Sequence, residues 1–131
     1  MSYRWVDHTA EVELEIEAAS EREVLEAAVR ALAELLGVDE ARGDERRSLT
    51  VAAPDRPALL AAWIEELAFL AESEGFVATN VIDLDLQTGG LTATVSGLLD
   101  EPPPLVKAVT YHRLEFAPTS EGYVARVILD V

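Results

Sequence analysis

The chain has 131 residues and a mass of 14.2 kDa, the size of one domain spanning residues 1–131. It contains no cysteine, which excludes disulfides, zinc ribbons, iron–sulfur clusters and thiol catalysis together. Twenty-five acidic residues against ten basic ones give a net charge of −15 and a pI near 4.3, so the surface repels phosphate backbones and favours cations or a basic protein.

The opening MSYRWVDHTAEVELEIE lacks the basic-then-apolar order of a secretion signal. No apolar run approaches the ~18 residues of a membrane span. These features predict a cytoplasmic protein with neither a membrane nor a nucleic acid as direct partner. Residues 11–17 (EVELEIE) alternate Val12, Leu14 and Ile16 with four glutamates, the period of a strand with one buried and one wet face. Ser20-Glu21-Arg22-Glu23 then has the spacing of a capping box, and the helix it opens runs through Leu25, Ala28, Leu32 and Leu35 to a stop at Gly37.

Residues 38–47 are polar and loop-like, and Ser48–Ala53 reads as a short strand. Asp55 caps a second helix with Pro57 in its first turn. The spacing of Leu60, Trp63, Ile64, Leu67 and Leu70 carries this helix to about Glu74, with Gly75 ending it. Trp63 falls on its apolar face as a core residue. From Val77 onward strands dominate: VIDLDL and LTATVSG flank a turn at Thr88-Gly89-Gly90, and after Pro102–Pro104 two more strands, Leu105–Phe116 and Tyr123–Val131, flank Ser120-Glu121-Gly122. Strands that bunch instead of alternating with helices predict an α+β fold: a largely antiparallel sheet with two helices packed on it.

Phosphate-binding glycine loops, nucleophile elbows and zinc-protease motifs are all missing. With only His8 and His112 available, any metal site here is mainly oxygen and suits a hard cation. Asp130 and the carboxylate of Val131 close an apolar strand; they read either as such a site or as a last strand reaching the domain edge. Asp7, His8 and Glu11 precede the first clear strand, though Glu11 also heads a row of wet-face glutamates. In Lys107–His112 the alternation sets Lys107, Val109 and Tyr111 on one face. His112 falls on the other, with Leu114 and Phe116, where it reads as a hydrogen-bonded core histidine. Lys107 reads as a salt-bridge partner for an acid, ahead of a role gripping a phosphate in so acidic a chain. A triad of Ser96, His8 and Asp7 has no spacing to support it.

Four blocks together resemble the archease family: Asp7-His8-Thr9-Ala10-Glu11-Val12; Leu59-Leu60 with Trp63-Ile64-Glu65-Glu66-Leu67; VKAVTYH at 106–112; and the ending Val127-Ile128-Leu129-Asp130-Val131. The resemblance implies an α+β protein that is not an enzyme but an activator of an RtcB-type RNA ligase in tRNA splicing, promoting guanylylation and multiple turnover. It implies a divalent-metal site, calcium first with magnesium or manganese as alternatives, made by Glu11, Asp130 and the Val131 carboxylate. Asp7, His8, Lys107 and His112 would support that tip or face the partner. Position 11 is Glu where the family usually has Asp, so the carboxylate moves out by one methylene, on the order of 1.5 Å; calcium geometry absorbs this more readily than magnesium. Two other readings are a chaperone-like cofactor of another tRNA enzyme such as a methyltransferase, and a metal-dependent phosphoesterase.

Overall fold

The computed structural model describes residues 1–8, 11–102 and 106–131. The Thr9-Ala10 step of the first block and the expected strand start at Leu105 lie outside them. Among the described residues, seven strands and two helices follow the order β1 (Ser2–His8), β2 (Glu11–Ala18), α1 (Glu21–Leu35), β3 (Glu45–Ala52), α2 (Arg56–Glu74), β4 (Phe76–Gln87), β5 (Gly90–Leu99), β6 (Ala108–Thr119) and β7 (Gly122–Asp130). The fold is α+β and every strand pairing is antiparallel. The strands divide between two sheets, β1-β2-β7-β6 and β3-β5-β4, where the sequence suggests one.

The helix ends form as local chemistry dictates. Ser20 Oγ accepts from the Glu23 amide at 3.2 Å, and Asp55 accepts from the Ala58 amide at 2.9 Å. Gly75 closes α2 at φ 67°, a left-handed conformation that favours glycine. Each helix touches strands of both sheets. Burial around α1 therefore exceeds a single stripe, with Ala27-Ala28-Val29 and Ala31-Leu32-Ala33 all buried. Trp63 is fully buried as expected, its indole N–H donating to the Leu25 carbonyl at 3.1 Å. One core runs from Leu14 and Val127 through both helices to Phe76 and Val95.

Three features depart from the sequence reading. Ser2–His8 is a strand, and β3 begins at Glu45, three residues before Ser48. The alternation along β6 also breaks. Between Thr110, opposite Ile128, and Glu115, opposite Arg126, five steps along β6 face two along β7. This odd surplus reverses the parity of the strand, so Val109 and Phe116 both lie against core residues of β7. His112 sits in the bulge and is exposed, not in the core, and Tyr111 is 63% exposed beside it.

Candidate functional site

The four-stranded sheet shows one face to the helices and one outward. Its antiparallel register stacks residues in rows across the strands, and opposed residues share a face. Rows containing Leu14, Val127 and Leu129 face the core. The intervening rows put Glu11, Glu13, Glu15 and Glu17 on the outer face.

The row at the open end brings together the two ends of the chain. Glu11 is directly opposite Asp130, His8 holds the β1 position opposite Glu11, and Ala108 holds the β6 position opposite Asp130. The amide of Lys107 donates to the Asp130 carbonyl at 2.8 Å, which fastens the chain before β6 to the same end. Opposed strand residues have Cα atoms about 4.5–5.5 Å apart, so two carboxylates start from neighbouring positions on one face. Among the described residues neither has an ion-pair partner. Two like charges so placed repel, and a hard cation between them would remove the repulsion. The oxygen-only donor set fits such an ion, although no group of three or more His, Asp or Glu side chains converges among the described residues. Val131 follows Asp130, its side chain packed against the core.

The other expected site residues fall elsewhere. Asp7 pairs with Val12 in the adjacent row, so its side chain departs from the opposite face of the sheet. His112 stands on the bulge, away from the end row. Lys107 is exposed and makes no ion pair among the described residues; the expected salt bridge gives way to its main-chain bond.

The rows behind the end row hold residues that sequence reasoning missed. Glu13 was expected on a wet face, yet it is only 3% exposed. Arg113 reaches across from the β6 bulge to Glu13 at 3.1 Å, and Arg126 lies 3.8 Å from it. Arg113 holds φ 58°, the only positive φ of a non-glycine among the described residues. The next outer row is Arg4, Glu15, Arg126 and Glu115. Arg4 bonds Glu15 at 2.6 Å, and Arg126 approaches Glu15 and Glu115 at 3.9 Å each. The hydrogen bond from Arg4, with the positive charge of the same guanidinium, holds the Glu15 carboxyl below the usual glutamate range. On the core side, Tyr3 donates to Glu34 at 2.6 Å, and burial followed by that bond pushes its hydroxyl up to about 12.

The sequence matches the model of the archease protein family over residues 3–131. A protein named archease from Archaeoglobus fulgidus is 30% identical over 140 residues, covering 100% of both chains. One from Methanosarcina barkeri is 29% identical, covering 98% of this chain and 95% of its own. The solution structure of Methanobacterium thermoautotrophicum protein 1598 superposes with a TM-score of 0.74 at 27% identity, covering 98% of each chain. The crystal structure of a Thermotoga maritima archease, described as a possible chaperone, shares the fold with a TM-score of 0.69 at 21% identity over 96% of this chain and 94% of its own.

Proposed function

This chain belongs to the archease family, and on that premise we propose that it activates an RtcB-type RNA ligase in tRNA splicing or RNA repair. It is not itself an enzyme in this reading. The single observation that carries the proposal is the register that sets Glu11 opposite Asp130 at the open end of the outer sheet face. Glu11, Asp130 and the Val131 carboxylate would hold a divalent cation, calcium by preference and magnesium or manganese otherwise. That cation would supply positive charge between the opposed carboxylates and complete a compact acidic tip. The tip would be presented to the ligase beside its nucleotide pocket, promoting guanylylation of the ligase. A net charge of −15 would speed encounter with a basic mouth, most strongly at low salt.

The test is RNA joined per molecule of cognate ligase, with RNA and GTP in excess. Wild-type protein should carry the ligase from a single round to many. Asp130→Ala, Glu11→Ala and a short extension after Val131 should each lose that effect. Normal activation by all three variants would sink the acidic-tip mechanism. No activation by wild type would favour the chaperone reading, which the description of the Thermotoga maritima relative supports. In that case a tRNA methyltransferase should co-purify. The phosphoesterase reading needs a positioned base and an open metal position. Phosphoester turnover by the isolated protein, abolished by a chelator, would establish it.

A further inference from the structure

Helix α2 is buried on most of its circumference, and its open face is narrow. Glu65, Phe69 and Glu72 are exposed at spacings of four and three residues, which puts them on one stripe. Phe69 is 59% exposed, although the helix around it is core. Beside the stripe a groove of about 140 Å³ runs between α2 and the start of β6, lined by Glu65, Ala68, Phe69, Glu72 and the stretch 106–109. That volume is close to the ~150 Å³ of a cavity that takes one benzene-sized group. An aromatic wall, small residues at the base and acids on the rim make a seat for one apolar side chain with cations beside it.

We propose that this groove docks a basic segment of a partner protein, with an aliphatic or aromatic side chain against Phe69 and flanking Lys or Arg residues on Glu65 and Glu72. Charge complementarity selects this occupant. Among the described residues, Glu65 and Glu72 have no ion-pair partner and Lys107 is the only base lining the groove. Nucleic acid and acidic peptides are repelled by the same rim, and so is a second copy of a chain carrying −15. The β6 wall of the groove also adjoins the acidic end row. Ala108 lies opposite Asp130, and the Lys107 amide bonds the Asp130 carbonyl. A partner engaging the tip would thus meet the groove along the same edge. Identifying the ligase as that partner rests on the activator reading; the groove's own chemistry does not.

The probe is a short fluorescent amphipathic peptide of leucine and lysine, compared with an all-lysine peptide of equal charge by anisotropy titration at low and physiological salt. The leucine-containing peptide should bind more tightly. Phe69→Ala should weaken it by roughly tenfold, one decade being 1.4 kcal/mol, and leave the all-lysine peptide unchanged. Glu65→Gln with Glu72→Gln should weaken both peptides and flatten their salt dependence. Glu17→Gln with Glu121→Gln, at the far end of the molecule, should change neither. Phe69 is exposed, so its variant should melt as wild type does. Equal binding by wild type and Phe69→Ala would overturn the proposal, as would an equal loss from the far-end pair. Wild type that self-associates in gel filtration, and stops doing so on Phe69→Ala, would also overturn it by making the groove a contact between copies. In the ligase assay, Phe69→Ala should raise the concentration needed for activation and leave maximal turnover intact. If wild type fails to activate the ligase, the activator reading falls while the peptide titration still decides the groove.

Discussion

Glu11, Glu13 and Glu15 stand on one strand, share one face and carry the same functional group, yet they meet opposite environments. Across the sheet from Glu11 stands Asp130. Over Glu13 lies the guanidinium of Arg113, with Arg126 behind it, and Glu15 is gripped by Arg4 and Arg126. One repeat of the pleat, two residues, therefore separates acids that are neutralised by the protein from acids that are left for something else to neutralise. The three arginines are a third of the nine in the chain, and they stop short of the end row. Folding spends its cations on the middle of the face and leaves the tip acidic.

The largest expected effect tests what lies between Glu11 and Asp130. At a calcium concentration of about 100 times Kd, linkage adds ~2.7 kcal/mol to stability. Wild type and Glu15→Gln should both melt higher in calcium, and Glu11→Gln should not. A melting temperature in wild type that ignores calcium would leave the end row to water alone. Next, Glu13→Ala should cost about 2 kcal/mol by urea unfolding, because it removes a buried carboxylate that accepts a hydrogen bond from Arg113 and lies 3.8 Å from Arg126. Glu11→Gln, relieving a repulsion, should gain a few tenths. Equal losses at positions 11 and 13 would erase the contrast. The bulge sharpens it further. Arg113→Gly should be less damaging than Arg113→Ala by about 1 kcal/mol, since glycine occupies φ 58° without strain.

Much of the helical layer was legible because its signals are local. Ser20, Asp55 and Gly75 end helices through hydrogen bonds and dihedrals set within a few residues, and Trp63 followed from spacing. The sheets were less legible because pairing is decided at a distance. The segment SYRWVDH turns only Tyr3 and Trp5 toward the core, so the alternation marking β1 is short and mixed with charge. Nothing in β6 announces its three surplus residues, and period-2 reading carried His112 to the wrong side. At the site, the pairing of Glu11 with Asp130 came from family resemblance, since it depends on β2 and β7 meeting in register. The row of glutamates was read as uniformly wet because an arginine from the distant bulge is invisible to the pattern of β2. The signal that could have raised the question is the four-acid strand itself, which needs cations from somewhere.

The smallest expected effect separates Glu15 from its neighbours by acid. Its carboxyl titrates below the ordinary glutamate value of 4.5 in the fold, chiefly through the Arg4 hydrogen bond. A lowered native value means the unfolded chain takes up the proton first. The stabilisation from Glu15 is therefore whole above 4.5 and drains away as the pH falls through the lower native value. Wild type and Glu15→Gln should differ by a constant amount near neutrality, and their urea midpoints should converge only in the acid limb. The pair is exposed to water, so high salt should shrink the neutral gap. Arg4→Gln should reproduce that gap and abolish most of its pH dependence, because the guanidinium is the main reason the carboxyl is acidic. Convergence that begins well above 4.5 would place the titrating group elsewhere on this face, and the division between neutralised and unneutralised glutamates would have to be redrawn.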